Sequence, residues 1–400
     1  LNERHAQVDV LIAGGGPVGL SLALALTDSD LSVQVVDGMG DEQVAALPDE
    51  RHLALSEVSC RALEAFGLWS RLGAEPIRAL HISSRGDFGS VLWRAVEQGL
   101  ERFGAVARAK ALLQGLRAAV RARNPTALAA PARIVTAEAG AQAVTVTVEG
   151  MPQATMAARL LVIADGADSA LRRAAGITAA IDDYGVDAIC CAVRPARAHA
   201  GTAYERFTRA GPVAMLPLAG GQCGAVHVVE HAAVAGLLAL DDGAYAAALQ
   251  EAFGWRLGAL RVVGPRVSYP LRRVAADRLV APRQVLIGNA AQAVHPIGAQ
   301  GFNLGMRDAL ALAERLAGAK SDPGAPDVLA DYAAARRSDR DSVLADTHRL
   351  ALATTSGLPG ASLARSLALL LADRVEPVRA HVIHAGMGFR GRTPALARRA

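Results

Sequence analysis

Gly14, Gly16 and Gly19 are spaced as G-x-G-x-x-G in the run VDVLIAGGGPVGLSLALAL, and Asp37 closes the next apolar run. That spacing suits a diphosphate: one glycine allows a tight turn, one lets backbone approach a pyrophosphate, and one lets a helix pack against a strand. Pro17 fits the first turn of a helix, where its missing N–H costs nothing. The N-terminus of such a helix offers free N–H groups and a positive dipole end to phosphate. Asp37 follows Gly19 by 18 residues, near the spacing of a ribose-binding carboxylate. Strand, glycines, helix, second strand and acid, in that order, predict a dinucleotide site, with NAD(P) and FAD both open. A second match, Gly386 to Gly391, has only nine residues after it. That is too few for a strand–helix–strand unit, so it reads as a loop or helix break.

Two further stretches carry candidate chemistry. LLVIADGADSALRRAAGI, residues 160–177, is a buried strand running into Asp165-Gly166, with Ser169 and Arg172 after it; alone it reads as strand, turn and helix with Ser169 near the cap. GNAAQAVHPIGAQGFNLGMRDALALAE, residues 288–314, sets glycines and a His-Pro pair ahead of a strongly helical run. Together with the opening fingerprint, these motifs resemble the class A FAD-dependent aromatic hydroxylases. ERFTRAGPVAMLPL (205–218), AFGWRLG (252–258) and YPL (269–271) are similar to the ubiquinone-biosynthesis branch of that family.

The resemblance implies FAD, with NAD(P)H as a transient co-substrate, and hydroxylation by O₂ of an electron-rich ring, a polyprenyl methoxyphenol. A different ring position and a non-catalytic flavin-binding subunit of a biosynthetic complex stay open as alternatives. It further implies that Gly288 and Asn289 reach the ribityl chain and diphosphate, with Asp165 and Gly166 beside them. Pro296, Gly298, Ala299, Gln300, Gly301 and Asn303 would line the isoalloxazine, and Arg51 and Gln114 would contact the cofactor. Two departures stand out: Asn289 replaces the family's usual Asp, and one glycine has moved, leaving Ala299 where a positive φ would strain it. No base for the phenol is assigned; His227 and Tyr204 are candidates, and His295 reads as structural. Met215, Leu216, Pro217 and Pro296 are expected in the substrate pocket.

These residues need a scaffold. The resemblance implies an α/β fold: a Rossmann-type FAD domain from residues 1–77, 100–177 and 277–340, an inserted β-sheet substrate domain from 78–99 and 178–276, and a helical region over 341–400. AVTVTV, residues 143–148, alternates as a meander strand does, and SDPGAP, residues 321–326, reads as a loop between helices. Arg and Lys are scattered and the net charge is +4, which argues against nucleic-acid binding. Cys60, Cys190, Cys191 and Cys223 form no C-x-x-C pair, so no metal site is expected. No apolar run reaches the ~20 residues of a spanning helix. A cytoplasmic location follows, with peripheral contact at the inner membrane or with a ubiquinone-synthesis complex. Residues 363–375, in the basic C-terminal segment, would be an amphipathic helix lying on an acidic membrane or partner, or packed on the flavin domain. Oligomeric state is left open.

Overall fold

A computed structural model describes residues 7–398, apart from 153, 319–321, 357, 359 and 390–391. Arg390 and Gly391 of the second glycine motif and Ser321 of the 321–326 loop lie outside the described residues; the helix Glu376–Gly386 ends at that motif's first glycine.

Val10, Leu11 and Ile12 of the strand Gln7–Ala13 are fully buried, as a central parallel strand requires. It runs parallel between Val33–Val36 and Thr155–Ile163, with Leu128–Ala129 and Gln284–Leu286 extending the sheet on either side. The helix Pro17–Ala25 crosses over from the first strand to the second and buries Gly19 through Leu24. It packs on the helices Ala109–Arg123 and Gln300–Gly318. The antiparallel strands Arg133–Ala139 and Val144–Glu149 feed Thr155–Ile163 as a meander. Its alternation is direct: Val144, Val146 and Val148 are buried and the residues between them are exposed.

A second sheet has the order Gln292–Ala293, Val267–Ala276, Ala179–Pro195, Gln222–Glu230, Pro212–Leu218, Thr202–Phe207, Ala79–Ser84, Ser90–Arg94. Successive side chains of a strand point to opposite faces, and here each face has its own core. On one, Cys191, Val213, Met215 and Ala225 pack with Tyr245, Leu249 and Phe253 of the helix Asp242–Phe253. On the other, Leu216, Leu218, Ala203 and Trp93 pack with Ile77, Val106, Ile383 and Met387. Ile77 and Val106 come from a small third sheet of His52–Ser56, Gly104–Arg108 and Glu75–Ile77.

The helix Gln300–Gly318 begins three residues before Asn303 and is followed by Pro326–Thr355, Ala361–Arg374 and Glu376–Gly386. The helix Ala361–Arg374 packs on Ser90–Arg94, with Ser366 fully buried, while Leu363, Leu367 and Leu371 stay about half exposed. No described helix is long and apolar enough to cross a membrane.

Candidate functional site

The N-terminus of Pro17–Ala25 has no side-chain cap and no acid in its first turn, so no side chain there competes with a phosphate for its N–H groups. Gly14 has φ +115°, and a Cβ there would lie 2.4 Å from the Ala164 carbonyl oxygen; only glycine fits. A Cβ on Gly16 would meet nothing within 4 Å, which leaves room for a phosphate. Gly15, passed over in the fingerprint, is equally constrained. Its N–H donates to Asp37 Oδ2 at 2.5 Å, and a Cβ would lie 2.7 Å from that of Asp37. The G-G-G run was the signal for it.

Asp37 also accepts from the Met39 N–H at 2.8 Å and pairs with buried Arg117 at 3.4 Å, which in turn binds Asp41. Gly14, Asp37 and Asp165 converge on one cleft of about 710 Å³. Gln114 is exposed one turn ahead of Arg117, on the same side of its helix. Arg51 is half exposed; it pairs with Asp49 at 2.6 Å and lies 5.2 Å from the Tyr269 ring.

Ser169 accepts the Arg172 N–H at 2.9 Å and caps the short helix Ala170–Ala174. The Arg172 guanidinium donates to the carbonyls of Ala167 and Ala290, at 2.9 and 3.0 Å. It thereby ties the Asp165-Gly166 turn to the Gly288–Ala290 turn. Gly288 has φ +60° and packs against Val18, and Asn289 is exposed. Behind this turn, buried Asp308 accepts from the Gly288 N–H (3.2 Å), Gln292 Nε2 (2.5 Å) and Arg336 Nε (2.7 Å). Arg307 and Arg336 both pair with buried Asp339.

Ile297 N–H donates to buried His295 Nδ1 at 3.2 Å, and burial pushes the imidazole down to about 4, so it is neutral and holds the turn. Gly298 and Ala299 both have positive φ, 67° and 52°. The strain expected at Ala299 is therefore present. Gln300 Nε2 donates to the Gly298 carbonyl, while its buried Oε1 has no partner.

Three expectations need correction. The Asn303 side chain accepts from Ser56 N–H and Ser59 Oγ, both at 2.8 Å, and donates to the carbonyls of Ala54 (2.9 Å) and Ala299 (2.7 Å). An amide side chain has two donors and two acceptor positions, so it straps the loop to the strand His52–Ser56 and has no capacity left for a cofactor. His227 and Tyr204 sit on the helix-covered face of the second sheet, against Tyr245 (6.1 Å) and Phe253 (5.7 Å) respectively. They point away from the glycine-rich loop. Met215 pairs with Tyr204 and Pro217 with Cys223 on that same face; of the three expected strand residues in the pocket only Leu216 faces the other way.

The face toward the loop carries a residue the sequence reading missed. The Gly298 N–H donates to Glu205 Oε1 at 3.4 Å. Glu205 pairs with Ala214 in register, and burial pushes its carboxyl up to about 7. Alternation from Tyr204 was the available signal.

The residues present fit a dinucleotide. The helix Pro17–Ala25 is uncapped, Gly16 has open space beside it, Gly14, Asp37 and Asp165 line one cleft, and the buried Gln300 Oε1 has no partner. Among the described residues no cluster of side chains could hold a metal ion. A family model described as FAD binding domain matches residues 7–347. The chain is 38% identical over 388 residues to ubiquinone hydroxylase UbiL of Rhodospirillum rubrum, covering 95% of this chain and 89% of that protein. It is 27% identical to 3-demethoxyubiquinol 3-hydroxylase of Escherichia coli, covering 95% and 98%. Among solved structures, p-nitrophenol 4-monooxygenase PnpA of Pseudomonas putida superposes with TM-score 0.78 at 19% identity, covering 97% of this chain and 99% of that one; this likeness speaks to the fold.

Proposed function

The chain belongs to the class A FAD-dependent aromatic hydroxylases, and from that premise we propose that it uses NAD(P)H and O₂ to hydroxylate a polyprenyl phenol in ubiquinone biosynthesis. The substrate we favour is a 2-polyprenyl-6-methoxyphenol. The observation that carries the reading is the joining of the three motifs: Arg172 ties the second to the third, and the cleft at Asp165 opens onto the first.

In this reading the diphosphate lies on the N–H groups at Gly16 and Pro17–Ala25, and Asp37 accepts from the ribose. Asp165, Gly166, Gly288 and Asn289 hold the ribityl and diphosphate portion, with Arg51 and Gln114 at its margin. Pro296 through Gly301 face the ring system. When bound, FAD supplies electron transfer from NAD(P)H and the activation of O₂. The chain supplies position and dryness. The positive end of the helix Gln300–Gly318, with no acid in its first turn, favours negative charge on the ring it faces. The second sheet roofs the loop and excludes water, and Leu216 and Pro296 offer apolar surface to the substrate.

A prenyl tail is delivered from lipid. We therefore place the exposed row Leu363, Leu367 and Leu371, in a segment rich in Arg, against an acidic membrane surface.

The experiment is NAD(P)H and O₂ consumption by the purified holoprotein, with and without a short-tailed methoxyphenol, scored for hydroxylated product and H₂O₂. The expected result is phenol-stimulated oxidation with product formed. Oxidation indifferent to the phenol and yielding only peroxide would count decisively against the reading.

A further inference from the structure

We propose that Glu205 is the base that takes the phenolic proton of the substrate. The inference rests on the hydroxylase reading above and names the group that reading lacks. Ring attack is faster on a phenolate than on a phenol, so a proton acceptor must stand on the substrate side of the roof.

The strand Thr202–Phe207 settles which side chains can stand there. Tyr204 and Arg206 point to the helix-covered face, Tyr204 against Phe253 at 5.7 Å and Arg206 beside Gly254. Glu205, between them, points to the opposite face, where the Gly298 N–H reaches its Oε1 at 3.4 Å. That contact fixes the carboxyl directly over the glycine-rich loop. No described residue donates to Oε2, and no described Arg or Lys pairs with the carboxyl. Its neighbours in register are Ile82 and Ala214, both apolar. The charged and titratable groups nearest on the sheet, His81, Tyr204 and Arg206, belong to the other face; His52, which packs at Gly224 on this face, is pushed down to about 4 by burial and is neutral. The loop contributes only His295, which is neutral. Glu205 is half-buried, and desolvation without a cationic partner raises its carboxyl, to about 7, a value suited to exchanging protons at neutral pH.

In the step itself, the carboxylate oxygen Oε2 bonds the proton as the phenolic O–H bond breaks. The electron pair stays on the phenol oxygen and raises electron density in the ring. Nothing is oxidised or reduced in this step, and the carboxyl returns its proton to solvent after product leaves.

A purely structural clasp of Gly298 by Glu205 makes a different prediction, because Gln keeps an acceptor oxygen for the Gly298 N–H and cannot take a proton. The Glu205→Gln variant should therefore bind FAD as the wild type does. Its hydroxylation should fall about 10²-fold or more, with peroxide in place of product, and the rise of wild-type hydroxylation through neutral pH should be absent. A second readout needs no turnover. The infrared difference between wild type and Glu205→Gln should contain one carboxyl C=O band that titrates near neutrality. Wild-type hydroxylation matched by the variant in rate and pH profile, or no such band, overturns the assignment of the base while leaving the hydroxylase reading standing. A wild type that hydroxylates no phenol overturns that reading, and this inference with it.

Discussion

Ala299 concentrates the tension in this site. It is one of three non-glycine residues with positive φ among the described residues, and it sits inside the loop proposed to face the flavin ring. A left-handed L-residue costs about 1–2 kcal/mol, offset in part by the smaller entropy Ala loses on folding. Ala299→Gly should therefore raise stability by about 1 kcal/mol, read as a higher urea midpoint with an unchanged m-value. A lower midpoint would mean that the loop is not strained there. The neighbouring residues show how one side chain's role follows from counting its bonds. Asn303 spends all four hydrogen-bonding positions on the protein, whereas Gln300 keeps a buried acceptor open. The two are three residues apart in sequence, and only their partners distinguish strap from site.

Among the elements, the decisive device is Arg172. The short helix Ala170–Ala174 has little stability of its own. Its Arg172 reaches across to Ala290 and so locks two turns that are 118 residues apart. Arg172 is 3% exposed, so Arg172→Ala leaves two carbonyls without their charged donor. A loss of about 2 kcal/mol is expected, with FAD affinity of the apoprotein reduced about tenfold as the turns part. Calorimetric titration with FAD and thermal unfolding read the two effects separately; unchanged affinity would reduce Arg172 to a packing role. The strands teach a complementary lesson. In Thr202–Phe207 a single step along the chain exchanges the helix-covered core for the face toward the glycine-rich loop, so Tyr204 and Glu205 have opposite surroundings.

For the molecule as a whole, the chain passes repeatedly between the nucleotide-binding sheet and the roof, so the site exists only when distant segments meet. The C-terminal helices pack against the second sheet. Ser366 is fully buried, and a Cβ on Gly89 would lie 2.6 Å from its carbonyl oxygen, so the helix Ala361–Arg374 is docked by one face and apolar on another. The packed face lies on the second sheet at Ser90–Arg94 rather than on the flavin domain, and the leucine row is open. A buried Leu gains about 1.5–3 kcal/mol relative to an exposed one. Replacing Leu363, Leu367 and Leu371 with Ser should therefore weaken sedimentation with anionic vesicles at least tenfold, while the unfolding midpoint hardly moves because these side chains are already half exposed. Equal sedimentation by wild type and the triple variant would remove the membrane from the proposal.

What the sequence determined by itself was everything written in local spacing: the first strand, Pro17 at a helix start, the glycine fingerprint, the Ser169 cap and the meander. Each depends on backbone geometry within a few residues. The tertiary structure alone decided which face of each roof strand meets the loop, which polar side chains were already satisfied, and that Glu205 rather than His227 or Tyr204 stands over Gly298. Those outcomes depend on partners outside the strand itself, 93 residues away for Glu205 and Gly298, and a period-two pattern specifies two faces without saying which neighbour covers either.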